Sequence, residues 1–468
     1  MIRTVLALVA SALAVGCATL PDVHPWLQAR DGSRAPAIVG ARGPLNRAQV
    51  AAVLARLQSK SDGSDLLAKH IAIEEEVSGR PLTVGNAASV LRDGPASYRA
   101  MFEAIDRARD HIHVEFYIID NDEVGQRFSE ALLRKRAQGV AVNLVYDSVG
   151  SAEAGPGFFE RLSAGGVQVL EYNPVNPLRA RGAWRLNNRN HRKVVIVDGQ
   201  VAFTGGINIS SVYSSSSSSG SGRSGGFGSS SGGSRGGGKA GWRDTNVQIE
   251  GPAVEQLQRL FLDTWAQQGG PSFAKRNWFP KTPGTGAHPV RIVASGPGDE
   301  VPSIYVALLT AMAHADKSIH ITMAYFVPDP QTIDALKAAA ARGVDVKLVL
   351  PSYTDFWAVF HAGRSHYSQL LNAGVKIYER QQALLHSKTI VIDGVWSTVG
   401  SSNLDWRSFL HNEELNTVVL GSDFGNQMEQ MFDKDLAESV RIDPQTWTRR
   451  PIDVRMKELA ARVWEYWL

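Results

Sequence analysis

Residues 190–210 read NHRKVVIVDGQVAFTGGINIS, and residues 385–408 read LHSKTIVIDGVWSTVGSSNLDWRS. Both carry the spacing His-x-Lys-x4-Asp: His191, Lys193 and Asp198 in the first, His386, Lys388 and Asp393 in the second. A mostly aliphatic run follows each lysine, the pattern of a strand buried on both faces. Alternation along that strand puts histidine and lysine on one face. Asp198-Gly199 and Asp393-Gly394 then predict a turn. A second apolar strand leads into Gly205-Gly206-Ile207-Asn208, matched by Gly400-Ser401-Ser402-Asn403. Small residues such as Gly206 and Ser401 would let backbone N–H groups approach an anion, and Asn208 and Asn403 can donate to its oxygens.

The neighbouring sequence repeats in the same order. In the first pass, a helix over Tyr98 to Ala108 leads to strand HIHVEFYII, from His111 to Ile119. A helix ending at Gly139, a strand to Asp147, helix PGFFERLSAGG and a strand to Tyr172 follow. In the second pass, a helix from Ile304 to Ala315 leads to strand SIHITMAYF. A helix ending at Gly343, strand VDVKLVLP, a helix ending at Gly374 and strand VKIYER follow. Apolar strands alternating with helices predict an α/β class. The expected architecture is two copies of one α/β/α domain with mainly parallel central sheets, related by a pseudo-two-fold. A repeat of about 200 residues is too long for a solenoid.

This organisation divides the chain. Residues 1–16 read as a leader, and residues 17–92 as a tether and partly helical region with helical spacing at Val50 to Leu57 and Asp65 to Ile73. Residues 93–285 form the first repeat and residues 286–468 the second, which closes on a C-terminal helix. A Ser/Gly-rich insertion, residues 214–239, interrupts the first repeat and reads as flexible coil. The helical spacing of Met456, Leu459, Val463, Trp464 and Trp467 predicts a docked helix, while its Trp and Tyr residues also suit a membrane interface.

Composition narrows the function. Lys+Arg total 49 against Asp+Glu 46, a net charge of +3 across 468 residues, so no nucleic-acid partner is expected. One cysteine excludes an internal disulfide and any zinc site built on several cysteines. That cysteine, Cys17, ends the apolar run TVLALVASALAVG, which is too short to span a bilayer. The stretch resembles the lipobox of bacterial lipoproteins, with Ala14 where leucine is commoner. The resemblance implies acylation of Cys17 and a lipoprotein of the bacterial cell envelope. Ala18, where aspartate would retain the protein at the inner membrane, points to the outer membrane facing the periplasm, with the inner membrane as the alternative.

The doubled motif itself resembles the phospholipase D superfamily, and within it the cardiolipin synthase type. The likeness extends to YNPVNPLRARGAWRLNNRNHRK, WRDTNVQIEGPAV and FLHNEELN, and covers about Gly94 to the C terminus. It implies transfer of a phosphatidyl group between phospholipids such as phosphatidylglycerol; phospholipid hydrolysis by the same residues is the alternative, with a nuclease or a non-catalytic lipoprotein behind it. His191 would be the nucleophile and His386 the general acid and base. Lys193, Lys388, Asn208 and Asn403 would hold the phosphate, and Asp244 and Glu414 would orient the histidines through Nδ1. The chemistry fits, because imidazole can serve as nucleophile in one copy and proton donor in the other. Asp198 and Asp393 complete the motifs and are counted with the catalytic set, reading there either as turn residues or as supports behind the histidines. No H-E-x-x-H or Walker loop is present, and no metal or cofactor is expected. His113 and His320 recur at matched strand positions and are expected in the core. His366 and Arg364 either contact a second headgroup or begin a solvated helix.

Overall fold

The structure is a computed structural model that describes residues 19–28, 36–61, 63–180, 185, 187–217 and 241–467. The leader 1–16, Cys17, Ala18 and residues 218–239 of the Ser/Gly insertion lie outside the described residues.

The strand following each motif lysine is buried along its whole length, at Lys193–Val197 and Lys388–Ile392. Each turns back antiparallel on the next strand, Val201–Gly205 or Trp396–Gly400. The hairpins close through two successive left-handed residues: Asp198 at φ 52° with Gly199 at 61°, and Asp393 at 53° with Gly394 at 66°. Aspartate tolerates that region better than branched residues, and glycine enters it freely.

In the first half the strands lie in the order Gln168–Tyr172, Ala141–Asp147, His111–Phe116, Lys193–Val197, Val201–Gly205, Thr245–Glu250 and Leu82–Arg92. The second half has the matching order Lys376–Arg380, Asp345–Pro351, Ser318–Met323, Lys388–Ile392, Trp396–Gly400, Asn412–Leu420 and His288–Ser295. Leu82–Arg92 and His288–Ser295 pair antiparallel and join the halves into one sheet. The α/β class is as expected, with a mixed sheet. Pairing is parallel among the three outer strands linked through helices and antiparallel through the motif hairpins, where the short turns permit nothing else.

The strand Leu82–Arg92 lies in the region read as tether and partial helix. Its sequence, LTVGNAASVLR, is broken by Gly85 and Asn86 and shows no clean alternation. The two helices expected before it are present, at Arg47–Ser59 and Leu66–Ser78.

Helices Val254–Gln267 and Ser422–Ala437 pack on the sheet where the halves meet. Leu257, Phe261, Phe424 and Met428 share one apolar core there with Val194, Val247, Ile292 and Val419. His113 is fully buried in the first half and stacks on Phe261 at 4.3 Å. His320 stacks on Phe432, with Nδ1 2.7 Å from Glu429.

The C-terminal helix Ile452–Arg462 docks through the face opposite to the one its sequence suggests. Glu458 and Ala461 are buried, while Met456, Leu459, Val463 and Trp464 face solvent. The buried carboxylate of Glu458 accepts from Arg450 at 2.6 Å, which makes that polar face dockable.

Asp198 and Asp393 stand at the turn ends of their strands and work on backbone. Asp198 accepts from the N–H groups of Arg109, Asp110 and His111 at 2.9, 2.8 and 2.9 Å. Asp393 accepts from Asp316, Lys317 and Ser318 at 3.0, 2.8 and 3.0 Å, and from the Ser64 hydroxyl at 2.6 Å. They hold the sheet entry of the preceding strand, so a catalytic reading of these two aspartates does not fit. Asp393→Ala would strand several buried donors and is expected to cost about 2–4 kcal/mol. Urea unfolding checks the loss, and the folded fraction is expected to keep its turnover rate.

Candidate active site

His191 and His386 open each motif just before the buried strand, and both line one cavity of about 640 Å³. Each ring is fixed by a carboxylate from the other half. Glu414, on Asn412–Leu420, lies with its oxygens 2.9 and 3.1 Å from Nδ1 of His191. Asp244, just before Thr245–Glu250, lies 2.7 Å from Nδ1 of His386. Backbone reinforces the exchange. The His191 N–H donates to Glu413 O at 2.9 Å, and the His386 N–H to Arg243 O at 2.8 Å.

Arg192 and Arg243 anchor these crossings from inside. Arg243 is fully buried and makes a bidentate pair with Asp435 at 2.7 and 2.6 Å. Arg192 binds Glu413 at 2.5 Å, Thr264 at 3.0 Å and the Glu414 carbonyl at 3.2 Å. A buried guanidinium needs such full pairing.

The two carboxylates sit in different cradles. Glu414 accepts from the Ser401 hydroxyl and from the Asn412 amide at 3.2 Å. Asp244 accepts from the Thr245 N–H at 2.7 Å, and Gly206 lies against it. A Cβ on Gly206 would stand 2.2 and 2.7 Å from the two Asp244 oxygens. Gly206 and Ser401 were read as phosphate-side residues. The structure places both behind the histidines, where one makes room for a carboxylate and the other donates to one.

Asn208 and Asn403 do line the cavity. Asn208 Oδ1 accepts from Ile118 N–H at 3.1 Å, and its amide donates to the Tyr213 hydroxyl at 3.3 Å. Lys193 and Lys388 are buried, and each Nζ donates to the carbonyl of its own motif histidine. Burial lowers the Lys193 ammonium to about 7, with Lys388 adding to the fall against the pull of Glu414. Burial lowers Lys388 to about 8, against Asp244 and Glu414. Burial also pushes His191 down to about 4 despite Glu414, and it lowers His386 too. Glu414 itself is pushed up by burial, but His191, Lys193 and Ser401 together hold it at about 2.

Arg364 and His366 are not at the cavity. Arg364 lies over the rings of Phe360 and Trp447, and His366 binds Glu465 and Gln369. Several cavity residues escaped the sequence reading: Tyr117, Tyr325, Trp242, Asp355, Asp405 and Arg407. Tyr117 and Tyr325 fall at the ends of the matched strands quoted above, a signal that was available. Asp405 forms the N-cap of helix Trp406–Leu410, and its burial raises its carboxyl to about 7. Among the described residues no three His, Cys, Asp or Glu side chains are grouped to hold a metal.

A doubled α/β fold with two His-x-Lys motifs whose histidines meet at one cavity marks the phospholipase D superfamily of enzymes. A family model described as cardiolipin synthase, PLD-like domain, matches residues 101–216 and 308–436. A cardiolipin synthase of Geobacillus thermodenitrificans is 35% identical over 393 residues, 83% of this chain and 73% of the relative. Cardiolipin synthase 2 of Bacillus anthracis is 35% identical over 376 residues, 80% of this chain and 69% of the relative. The crystal structure of phosphatidylserine synthase from Haemophilus influenzae Rd KW20 has the same fold, with a TM-score of 0.60 at 13% identity. That match covers 84% of this chain and 99% of the other. The chain belongs to the cardiolipin synthase family of phospholipase D-like proteins.

Gly206→Ala tests the cradle around Asp244. The added methyl must displace the carboxylate, so His386 Nδ1 loses its charged partner and keeps only the Tyr213 hydroxyl at 3.3 Å. Turnover is expected to fall by roughly 100-fold or more, on the scale of losing a positioned acid–base group. Thermal unfolding measured alongside separates this from a loss of fold.

Proposed function

We propose that the protein is a phosphatidyltransferase of cardiolipin synthase type that works through a phosphohistidine. The observation that carries this reading is the pair of imidazoles on one cavity, each turned to a carboxylate through Nδ1. With its Nδ1–H donated to Glu414, neutral His191 directs the Nε2 lone pair at the phosphorus of a lipid such as phosphatidylglycerol. The P–O bond to the headgroup alcohol breaks, and Nε2–H of His386 protonates the leaving oxygen. Phosphatidyl-His191 and a free alcohol result. His386, now neutral, takes the hydroxyl proton of a second lipid. That oxygen attacks phosphorus, the P–N bond breaks, and His191 is restored with cardiolipin as product.

Lys193, Lys388, Asn208 and Asn403 meet the non-bridging oxygens, where charge builds up in the transition state. Asp244 and Glu414 are positioning residues. Water in place of the second lipid would give phosphatidate by the same route. Acylated Cys17 would hold the enzyme on the membrane, at the periplasmic face of the outer membrane by the reading of Ala18. Mass spectrometry of the mature N terminus checks for the diacylglyceryl group.

Purified protein given phosphatidylglycerol vesicles is expected to form cardiolipin, read by mass spectrometry, with His191→Ala lowering the rate at least about 10⁴-fold. Phosphatidate alone, or equal product from His191→Ala, would sink the proposal. The pH profile has a stated sign. As pH rises, His386 loses the proton it gives to the leaving oxygen, and through 7 to 8 Lys193 and Lys388 lose charge as well, so kcat/KM is expected to fall. As pH falls toward 4, His191 becomes protonated and the rate drops again. Rates measured from pH 4 to 9 check both limbs.

A further inference from the structure

Helix Ile452–Arg462 carries an apolar stripe that nothing among the described residues covers. Ile452, Met456 and Leu459 are 75%, 67% and 66% exposed, and Val463 continues the row at 77%. Spacings of four, three and four residues put all four on one helical face. The opposite face is docked on helix Trp357–Ser365. The stripe therefore points away from the body of the protein.

The stripe also leads to the active site. Trp464 follows Val463 and lines the cavity, as do Phe356 and Trp357. All three are at least half exposed, at 58%, 50% and 54%. Arg455 and Arg462, both exposed and seven residues apart, flank the row along one side. Apolar face, flanking cations and tryptophans make the pattern of a helix that lies in a lipid interface. No helix among the described residues is long and apolar enough to cross a membrane.

Cavity size gives the second argument. About 640 Å³ suits a ligand of drug size. It accommodates headgroups and a phosphate, but not the acyl chains of two phospholipids as well. Those chains must stay outside, so the mouth has to meet the bilayer itself.

We propose that the face formed by Ile452, Met456, Leu459 and Val463, with Phe356, Trp357 and Trp464 at the cavity mouth, seats on an anionic bilayer. The apolar side chains enter the boundary between headgroups and acyl chains, and Arg455 and Arg462 meet lipid phosphates. The phosphodiester then reaches the histidines while its acyl chains remain in lipid. This deepens the phospholipid reading of the site and rests on it.

The test uses residues 18–468, the mature chain without the leader and the acylated cysteine, so that neither masks the contact. Flotation with phosphatidylglycerol/phosphatidylcholine vesicles is compared with flotation of Ile452→Ser/Met456→Ser/Leu459→Ser in the same background. The triple variant is expected to bind at least tenfold more weakly and to lose transfer on vesicles in proportion. Its turnover of a monomeric short-chain phosphatidylglycerol is expected to stay unchanged, which also shows that it folds. Arg455→Glu/Arg462→Glu is expected to weaken binding to anionic vesicles more than to pure phosphatidylcholine.

Unchanged flotation of the triple variant would overturn the proposal. So would a dimer of the parent protein that the triple substitution dissociates without altering vesicle binding, because a second copy would then own the face. Absence of turnover on either lipid by the parent protein would count against the enzymatic reading, whereas flotation reads the surface independently.

Discussion

The site depends on an exchange of carboxylates between the two halves. Glu414 of the second half holds His191 of the first, and Asp244 of the first half holds His386 of the second. Neither half can orient its own histidine. The sheet must therefore be continuous across the pseudo-two-fold, and the Leu82–Arg92 with His288–Ser295 pairing makes it so. The buried Arg243–Asp435 and Arg192–Glu413 pairs serve the same end, because each pins the backbone from which an orienting carboxylate projects. Burial of charge at this density is costly unless every group is paired. The network is a cost accepted for geometry more than a source of stability.

The two halves are alike in backbone and unlike in detail. Glu414 is paired with Ser401, and Asp244 with Gly206, at matched positions. One carboxylate gains a hydroxyl donor, and the other gains space. His386 has Trp242, Tyr213 and Tyr325 around it, while His191 has Tyr117. Two environments of this kind suit the proposed reaction, in which one imidazole attacks while the other carries a proton.

Much of this was legible in the residues. The repeated His-x-Lys-x4-Asp pattern fixed the motif strands, the hairpin turns and the doubled fold, because buried strands and Asp-Gly turns leave clear local signals. Asp244 and Glu414 were readable through the family likeness, but the crossing of partners between halves was not, since sequence carries no record of which half a side chain faces. Leu82–Arg92 was missed because Gly85 and Asn86 interrupt its pattern and its reason to be a strand lies in neighbours on both sides. Gly206 and Ser401 were assigned to the phosphate because small residues suit an anion. Only the folded arrangement brings each of them against a carboxylate. The C-terminal helix was read with its faces reversed, since apolar spacing normally marks the inward side.

The proposed nucleophile is His191, held by a carboxylate from the opposite half. The most direct measurement is to quench turnover with base during reaction with a labelled donor lipid and map the covalent adduct by peptide mass spectrometry. The adduct is predicted on His191, and its yield is predicted to fall sharply in Glu414→Gln. An adduct on His386, or one on His191 whose yield is indifferent to Glu414, would contradict the account.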